Sequence, residues 1–145
     1  MKKLLYLLVI GVFLLSACSP GEIEAHEPWA RAAMAGENSA VYMMLHNHSD
    51  QGDELLSASS EIAEAVELHL SQMGPNGEMQ MIPQTSIPLA AGEEVEFKPG
   101  GLHIMLIGLK QDLAIGDQFE ATLHFKNHTD IVLTVEVKEG MEMDM

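Results

Sequence analysis

Short runs in which apolar and polar side chains alternate with a period of two dominate the hydrophobic pattern of this chain. Such alternation is typical of β-strands that bury one face. Residues 60–67 also fit one helical turn, but Val66, Leu68 and Leu70 alternate better as part of a strand. The runs predict strands at 40–45, 64–70, 93–97, 102–107, 118–125 and 131–137.

Segments rich in glycine, proline, asparagine and aspartate separate these runs. Such residues favour turns because they accept backbone conformations that other residues avoid. One of the segments, at 74–77, is followed by a further short run at 78–81, so seven or more strands are expected. Short strands at this spacing predict an all-β fold, a β-sandwich that forms a single domain over residues 24–138.

The first residues have the features of an export signal. A basic start at Lys2 and Lys3 precedes a short apolar stretch at 4–15, which is too short for a transmembrane helix. The stretch ends in Leu-Ser-Ala-Cys, the pattern that precedes the lipidated cysteine of bacterial lipoproteins. We therefore expect a signal peptide at 1–17, a lipidated Cys18 with a tether at 18–23, and a Met-rich flexible tail at 139–145.

An ordinary signal peptide that leaves Cys18 as a free thiol is the alternative. It does not explain why the only cysteine of the chain lies at the cleavage point. The lipoprotein interpretation predicts an extracytoplasmic protein, in the periplasm or at the cell surface, that the lipid anchors to the bacterial membrane. With one cysteine in the chain, no disulfide can form inside the domain, so the hydrophobic core must hold the fold.

Charge narrows the range of partners. Removal of Lys2 and Lys3 with the signal leaves five basic against 22 acidic side chains, a formal charge of −17. This charge argues against nucleic acid as a partner, because phosphates would repel the protein. A cation or a basic partner fits better, although most of these carboxylates can be explained as a solvated surface that keeps an exported protein soluble.

Four side chains suggest a metal site: His69, Met81, His103 and Met105. Thioether sulfur together with imidazole nitrogen suits copper, above all Cu(I), better than calcium, magnesium or structural zinc. His103 and Met105 lie two residues apart on a predicted strand and so share one face. His69 and Met81 lie on either side of the turn at 74–77, which would bring them near each other in a hairpin.

Each of these residues also has an explanation without metal. Methionine fills irregular gaps in hydrophobic cores, and a histidine at a strand end can be a simple hydrogen-bonding residue. Other histidines are weaker candidates. His46 and His48 lie two apart beside a predicted turn and could take Cu(II), but exposed loop histidines are common, and His26 is predicted to face solvent in a similar way.

At these four positions the chain resembles the PCu(A)C family of extracytoplasmic copper chaperones. The motif of that family is a histidine, an optional methionine, ten residues, a methionine, twenty-one residues and His-x-Met. His69, Met81, His103 and Met105 match every spacing. Further resemblance lies in the segments 29–32, 40–43, 65–69, 89–92 and 99–106 and so covers most of the domain. One departure is Leu70, which stands where the optional methionine would be.

The resemblance implies a cupredoxin-like Greek-key sandwich in which His69, Met81, His103 and Met105 bind Cu(I). It also implies delivery of copper to the copper-binding subunit of cytochrome c oxidase or to another copper carrier. Met73 or Met79 could take the place of the absent optional methionine. Some relatives bind a second copper ion through His- or Met-rich tails, which makes the tail methionines candidates for auxiliary ligands: Met141, Met143 and Met145.

Two alternative functions stay open besides copper delivery, and two others are not expected. Copper storage or detoxification is the first, and it would show further His and Met clusters outside the motif and a growth defect only at high copper. An enzyme is not expected, because the sequence contains no His-Glu-x-x-His or Gly-x-Ser-x-Gly motif and no candidate catalytic cysteine. An electron-transfer cupredoxin would need a thiolate ligand, which the domain lacks. A metal-free adhesive or structural lipoprotein domain is the second alternative that stays open.

Overall fold

The computed structural model describes residues 22–140. The predicted signal peptide, Cys18 and the tail methionines Met141, Met143 and Met145 lie outside the described residues. Within residues 22–140 the chain forms strands and no helix, so nothing in this range provides a helix able to cross a membrane. The all-β prediction is confirmed.

Ten strands follow one another along the chain, and they include all those predicted from the alternation. Residues 118–125 match the prediction fully, and the other predicted strands differ by one to three residues at an end. The strands are β1 (Ile23–Arg31), β2 (Ser39–Asn47), β3 (Asp53–Ser59), β4 (Ala63–Met73), β5 (Met79–Pro83), β6 (Ile87–Leu89), β7 (Glu94–Phe97), β8 (Leu102–Leu109), β9 (Gln118–Phe125) and β10 (Ile131–Lys138).

The strands form one continuous hydrogen-bonded order, β5-β4-β8-β7-β2-β1-β10-β9-β3-β6, in which β8 also pairs with β2. The sheet curls until β3 contacts β4, so its two halves cover a common core. Most neighbours are antiparallel, whereas β1 with β10 and β7 with β8 are parallel. Sequence neighbours are often not sheet neighbours, as the Greek-key prediction requires.

In the half of the sheet that carries the predicted metal ligands, each strand buries one of its faces in the hydrophobic core. Leu68 on β4 and Ile104 and Leu106 on β8 are buried in it. Because side chains alternate along a strand, the residues between them lie on the opposite, outer face. On β4 and β8 this outer face carries His69, His103 and Met105.

Two turns position the strands of this outer face near His69 and His103. β4 and β5 form a hairpin whose turn is closed by hydrogen bonds from Gly74 N to Glu78 O at 2.7 Å and from Gly77 N to Gly74 O at 3.1 Å. Before β8, the segment 98–101 turns with Gly100 at φ 81°, a conformation that favours glycine. This turn places the carbonyl of Gly101 next to the start of β8.

Candidate metal centre

His69 and His103 lie directly opposite each other on the antiparallel strands β4 and β8. Their ring centroids are 5.7 Å apart, and the rings meet at 63°. Both side chains are buried, with 9% of His69 and 3% of His103 exposed. The pairing of β4 with β8 thus brings together two imidazoles that are distant in the sequence.

Each of these imidazoles uses one nitrogen in a hydrogen bond and leaves the other free. His69 Nε2 lies 2.8 Å from Glu67 Oε2, and His103 Nδ1 lies 3.1 Å from the carbonyl oxygen of Gly101. Carboxylate and carbonyl oxygens only accept, so the neutral rings donate N–H at these atoms. The unprotonated nitrogens are therefore His69 Nδ1 and His103 Nε2.

These two unprotonated nitrogens are buried and have no hydrogen-bond partner. A buried polar atom without a partner costs roughly 1–3 kcal/mol, so native proteins rarely leave one without a purpose. Metal-binding histidines show the same arrangement, in which one nitrogen donates to an oxygen that orients the ring while the other holds the metal. The two imidazoles fit a metal ion as their missing partner.

The two methionines share the outer face with the imidazoles. Met105 follows His103 by two residues and is half-buried, opposite Glu67 of β4. Met81 on β5 pairs with Ser71, which lies two residues after His69, so it also belongs to this face. With 53% of its side chain exposed, Met81 forms the open side of the group.

Leu70 takes the position of the optional methionine, and its side chain points away from this face. It alternates with His69 along β4 and pairs with Leu102 and Ile82. By the same alternation, a methionine at position 70 would lie on the opposite face from the two imidazoles. Its replacement by leucine therefore leaves the group of four intact.

Met73 and Met79 extend the outer face toward the tip of the hairpin. They pair with each other across β4 and β5, and 67% and 53% of their side chains are exposed. Together with Met81 they form a row of three exposed thioethers, which we call the methionine row. The row begins beside the imidazoles and ends near the turn at 74–77.

Aromatic side chains lie beside His103, on the side away from the methionine row. Tyr42 on β2 lies 6.4 Å from the ring of His103, and Trp29 on β1 lies 4.7 Å from the ring of Tyr42. Arg31 donates a 3.4 Å hydrogen bond to the hydroxyl oxygen of Tyr42. Sequence reasoning did not assign a role to these residues, because only the pairing of β1, β2 and β8 brings them to the histidines.

Burial is the main cause that holds the pKa of His103 below its usual value of 6.5. The hydrogen bond to Gly101 acts in the opposite direction, while electrostatic interactions with His69 and Arg31 lower the pKa further. A metal ion needs the neutral imidazole. The surroundings of His103 thus keep this ring in its metal-binding form.

A family model and a relative of known sequence match most of this chain. The family model described as "Putative lipoprotein LpqE-like" matches residues 23–137. The chain is 34% identical over 125 residues to "Uncharacterized protein RP573" of Rickettsia prowazekii, which covers 81% of this chain and 68% of that protein.

Two solved structures are also similar to this chain. The copper-bound PCuAC domain from PmoF2 has 25% identity and a TM-score of 0.69, with 83% of this chain and 96% of that domain covered. The solution structure of CuI-DR1885 from Deinococcus radiodurans has 28% identity and a TM-score of 0.62, with 87% and 85% covered. The cupredoxin-like fold expected from the sequence is confirmed by these matches.

The lowered pKa of His103 predicts how the stability of the metal-free protein changes with pH. As pH falls through 6.5, the unfolded chain binds a proton at residue 103 before the folded chain does. The free energy of unfolding should therefore fall in this window. Denaturant unfolding of the metal-free wild type and of His103→Leu from about pH 7.5 to about pH 5.5 tests this, and the variant should lose less stability. Equal losses in both proteins would contradict the proposed effect of burial on His103.

Proposed function

Since this chain belongs to the LpqE-like family, which is of the PCuAC type, we propose that it is an extracytoplasmic copper chaperone anchored to the membrane by lipid. In this proposal it binds Cu(I) through His69, Met81, His103 and Met105 and delivers it to the copper sites of cytochrome c oxidase. Similar domains have been solved with copper bound.

One observation carries the proposal: two buried imidazole nitrogens without partners, on a sheet face that they share with two thioethers. Two nitrogens and two soft sulfurs match the preference of Cu(I). Neutral imidazoles and thioethers carry no charge, so the complex keeps the +1 charge of the ion. Softness, rather than attraction between opposite charges, then holds the copper.

Thioether ligands suit a protein that must give up its metal outside the cytoplasm. They carry no proton to lose and do not form disulfides in an oxidising compartment. A thiolate binds Cu(I) more strongly than a thioether does. Copper therefore moves from this site to an acceptor that has thiolate ligands, and no energy source is needed.

The exposure of the site sets the direction from which an acceptor approaches. Tyr42 and Trp29 lie on the side of His103, while Met81 is open to solvent on the other side of the group. Met73 and Met79 continue the methionine row from Met81. We assign to these two residues a transient role, in which they hold the ion as it leaves the four-ligand site.

The first test concerns the sulfur ligands. Met81→Leu and Met105→Leu keep the volume and apolar character of each side chain but remove the sulfur. Each should weaken Cu(I) binding by about tenfold or more, because even changes behind the ligands cost about 10–100-fold at metal sites. Competition against a Cu(I) chelator measures the affinity.

Met34→Leu is the matched control, since Met34 lies between β1 and β2 and is 64% exposed. It should bind Cu(I) as tightly as the wild type. Equal affinity of all four proteins would remove the four-ligand site from consideration.

Anchoring rests on Cys18 and on the family's description as a lipoprotein. Lipid on Cys18 would hold the domain at the membrane surface, where the copper sites of a membrane-bound oxidase are assembled. Cys18→Ala should abolish this association in a membrane flotation experiment. Mass spectrometry of the mature N-terminus provides the complementary measurement, and an unmodified Cys18 in the wild type would refute lipid anchoring without affecting the metal site.

Delivery is separated from storage by the direction of copper transfer. The Cu(I)-loaded protein, mixed with a metal-free copper-binding subunit of cytochrome c oxidase, should lose its copper to the thiolate ligands of that subunit. Met73→Leu combined with Met79→Leu should slow transfer and leave the Cu(I) affinity unchanged. Copper that stays on the donor at equilibrium would favour storage over delivery.

A further inference from the structure

Three histidines gather at a second place on the surface, and none of them belongs to the group of His69 and His103. His26, His46 and His48 each offer a ring nitrogen, and these three nitrogens all lie within 4.8 Å of one another. We call this group the three-histidine cluster. In the part of the chain that the structure describes, it is the only group of three or more histidine, cysteine or acidic side chains that meets this distance.

The pairing of β1 with β2 builds the cluster. Glu24 lies opposite His46 and His26 lies opposite Met44, so these four side chains share one face of the sheet. His48 follows the last residue of β2 and donates a 3.0 Å backbone hydrogen bond to the carbonyl oxygen of Glu22. The rings of His46 and His48 are thereby held with their centroids 3.7 Å apart.

The backbone next to His26 is irregular in a way that fixes where β1 places this residue. The register of β1 against β2 shifts between His26 and Trp29, and Glu27 between them has φ 49°. Non-glycine residues seldom adopt a positive φ. Bulges of this kind often occur at functional sites, where they redirect a side chain.

Two carboxylates surround the cluster. Glu24 Oε2 lies 3.5 Å from His26 Nε2 and 3.2 Å from His48 Nε2, and Glu94 Oε1 lies 3.4 Å from His46 Nδ1. Exposed ion pairs contribute little to stability and do not require three rings to converge. Three protonated rings at these distances would repel one another, whereas three neutral rings can direct their lone pairs at one ion.

From this geometry we propose that the three-histidine cluster binds one divalent transition-metal ion, with a preference for Cu(II), as a site separate from the Cu(I) site. Three imidazole nitrogens with a carboxylate oxygen from Glu24 form a donor set of intermediate hardness. For such nitrogen and oxygen ligands the affinity of divalent ions rises to a maximum at Cu(II). The two sites differ in chemistry, because the first has two thioethers among its four ligands.

The distance between the sites makes them independent. Both lie on the outer face along β2, where Tyr42 lies beside His103 of the first site and His46 belongs to the second. Four residue steps along the strand separate Tyr42 from His46, which corresponds to about 13 Å. A single ion cannot reach both groups, and loss of one site leaves the other in place.

The test titrates the full chain, purified in a mild detergent, with Cu(II) and records electron paramagnetic resonance spectra. We expect a signal with hyperfine coupling to several nitrogens. His26→Asn and His46→Asn should each lower the Cu(II) affinity by about tenfold or more, since a direct ligand is lost. His26 is exposed and His46 is partly exposed, so thermal unfolding should confirm that the variants fold.

His124→Asn is the matched control, because His124 also lies on a strand and pairs with a carboxylate, Asp130, at 3.0 Å. This variant and Met105→Leu should bind Cu(II) as the wild type does. The proposal is overturned if the signal survives His26→Asn and His46→Asn unchanged, or if His69→Asn abolishes it. A higher affinity for Zn(II) than for Cu(II) would overturn the stated preference.

Discussion

The register between β4 and β8 is the constraint on which the candidate metal centre depends. It places His69 opposite His103 and Glu67 opposite Met105. Leu68 and Ile104, the two residues between those pairs, are themselves paired and lie buried in the core. A slip of one residue would turn such leucine and isoleucine side chains out of the core, so burial on one face fixes the position of the histidines on the other.

The site is dry on one side and open on the other, and this asymmetry suits a carrier. Trp29 packs against Tyr42, and Tyr42 lies beside His103, which is buried. This burial lowers the pKa of His103 and so favours the neutral imidazole. Met81, on the edge strand β5, leaves the opposite side accessible to a partner. In the proposed function, capture and release would thus depend on different elements of the same fold.

Strands with clear alternation could be predicted from the sequence, but the pairing of strands from distant parts of the chain could not. β1 was missed because Pro28 and the irregularity after His26 break its pattern, and β6 because it is three residues long with Pro88 in the middle. β3 was missed because the adjacent Leu55 and Leu56 interrupt its alternation. The likeness of His69, Met81, His103 and Met105 to a metal site could be predicted from residue type and spacing. The free nitrogens of the two imidazoles could not, because they depend on partners set by tertiary structure.

For the same reason, the sequence suggested only His46 and His48 as a weak Cu(II) pair and left His26 as a solvent-facing histidine. The register of β1 against β2 brings all three together. The sequence shows which metals a residue could bind. It does not show which residues lie beside it in the sheet until the strand pairing is known.

The hairpin of β4 and β5 also restricts how the chain can change in length. Met73 pairs with Met79 and Ser71 with Met81, so the residues between His69 and Met81 run out along one strand and back along the other. Deletion of a single residue from β5 would reverse the direction of every side chain beyond it, and the sulfur of Met81 would move to the other face of the sheet. Removal of two residues, one from each strand, would shorten the hairpin and retain the pairing. Length variation between the first histidine and the first methionine is therefore restricted to even numbers of strand residues or to the turn.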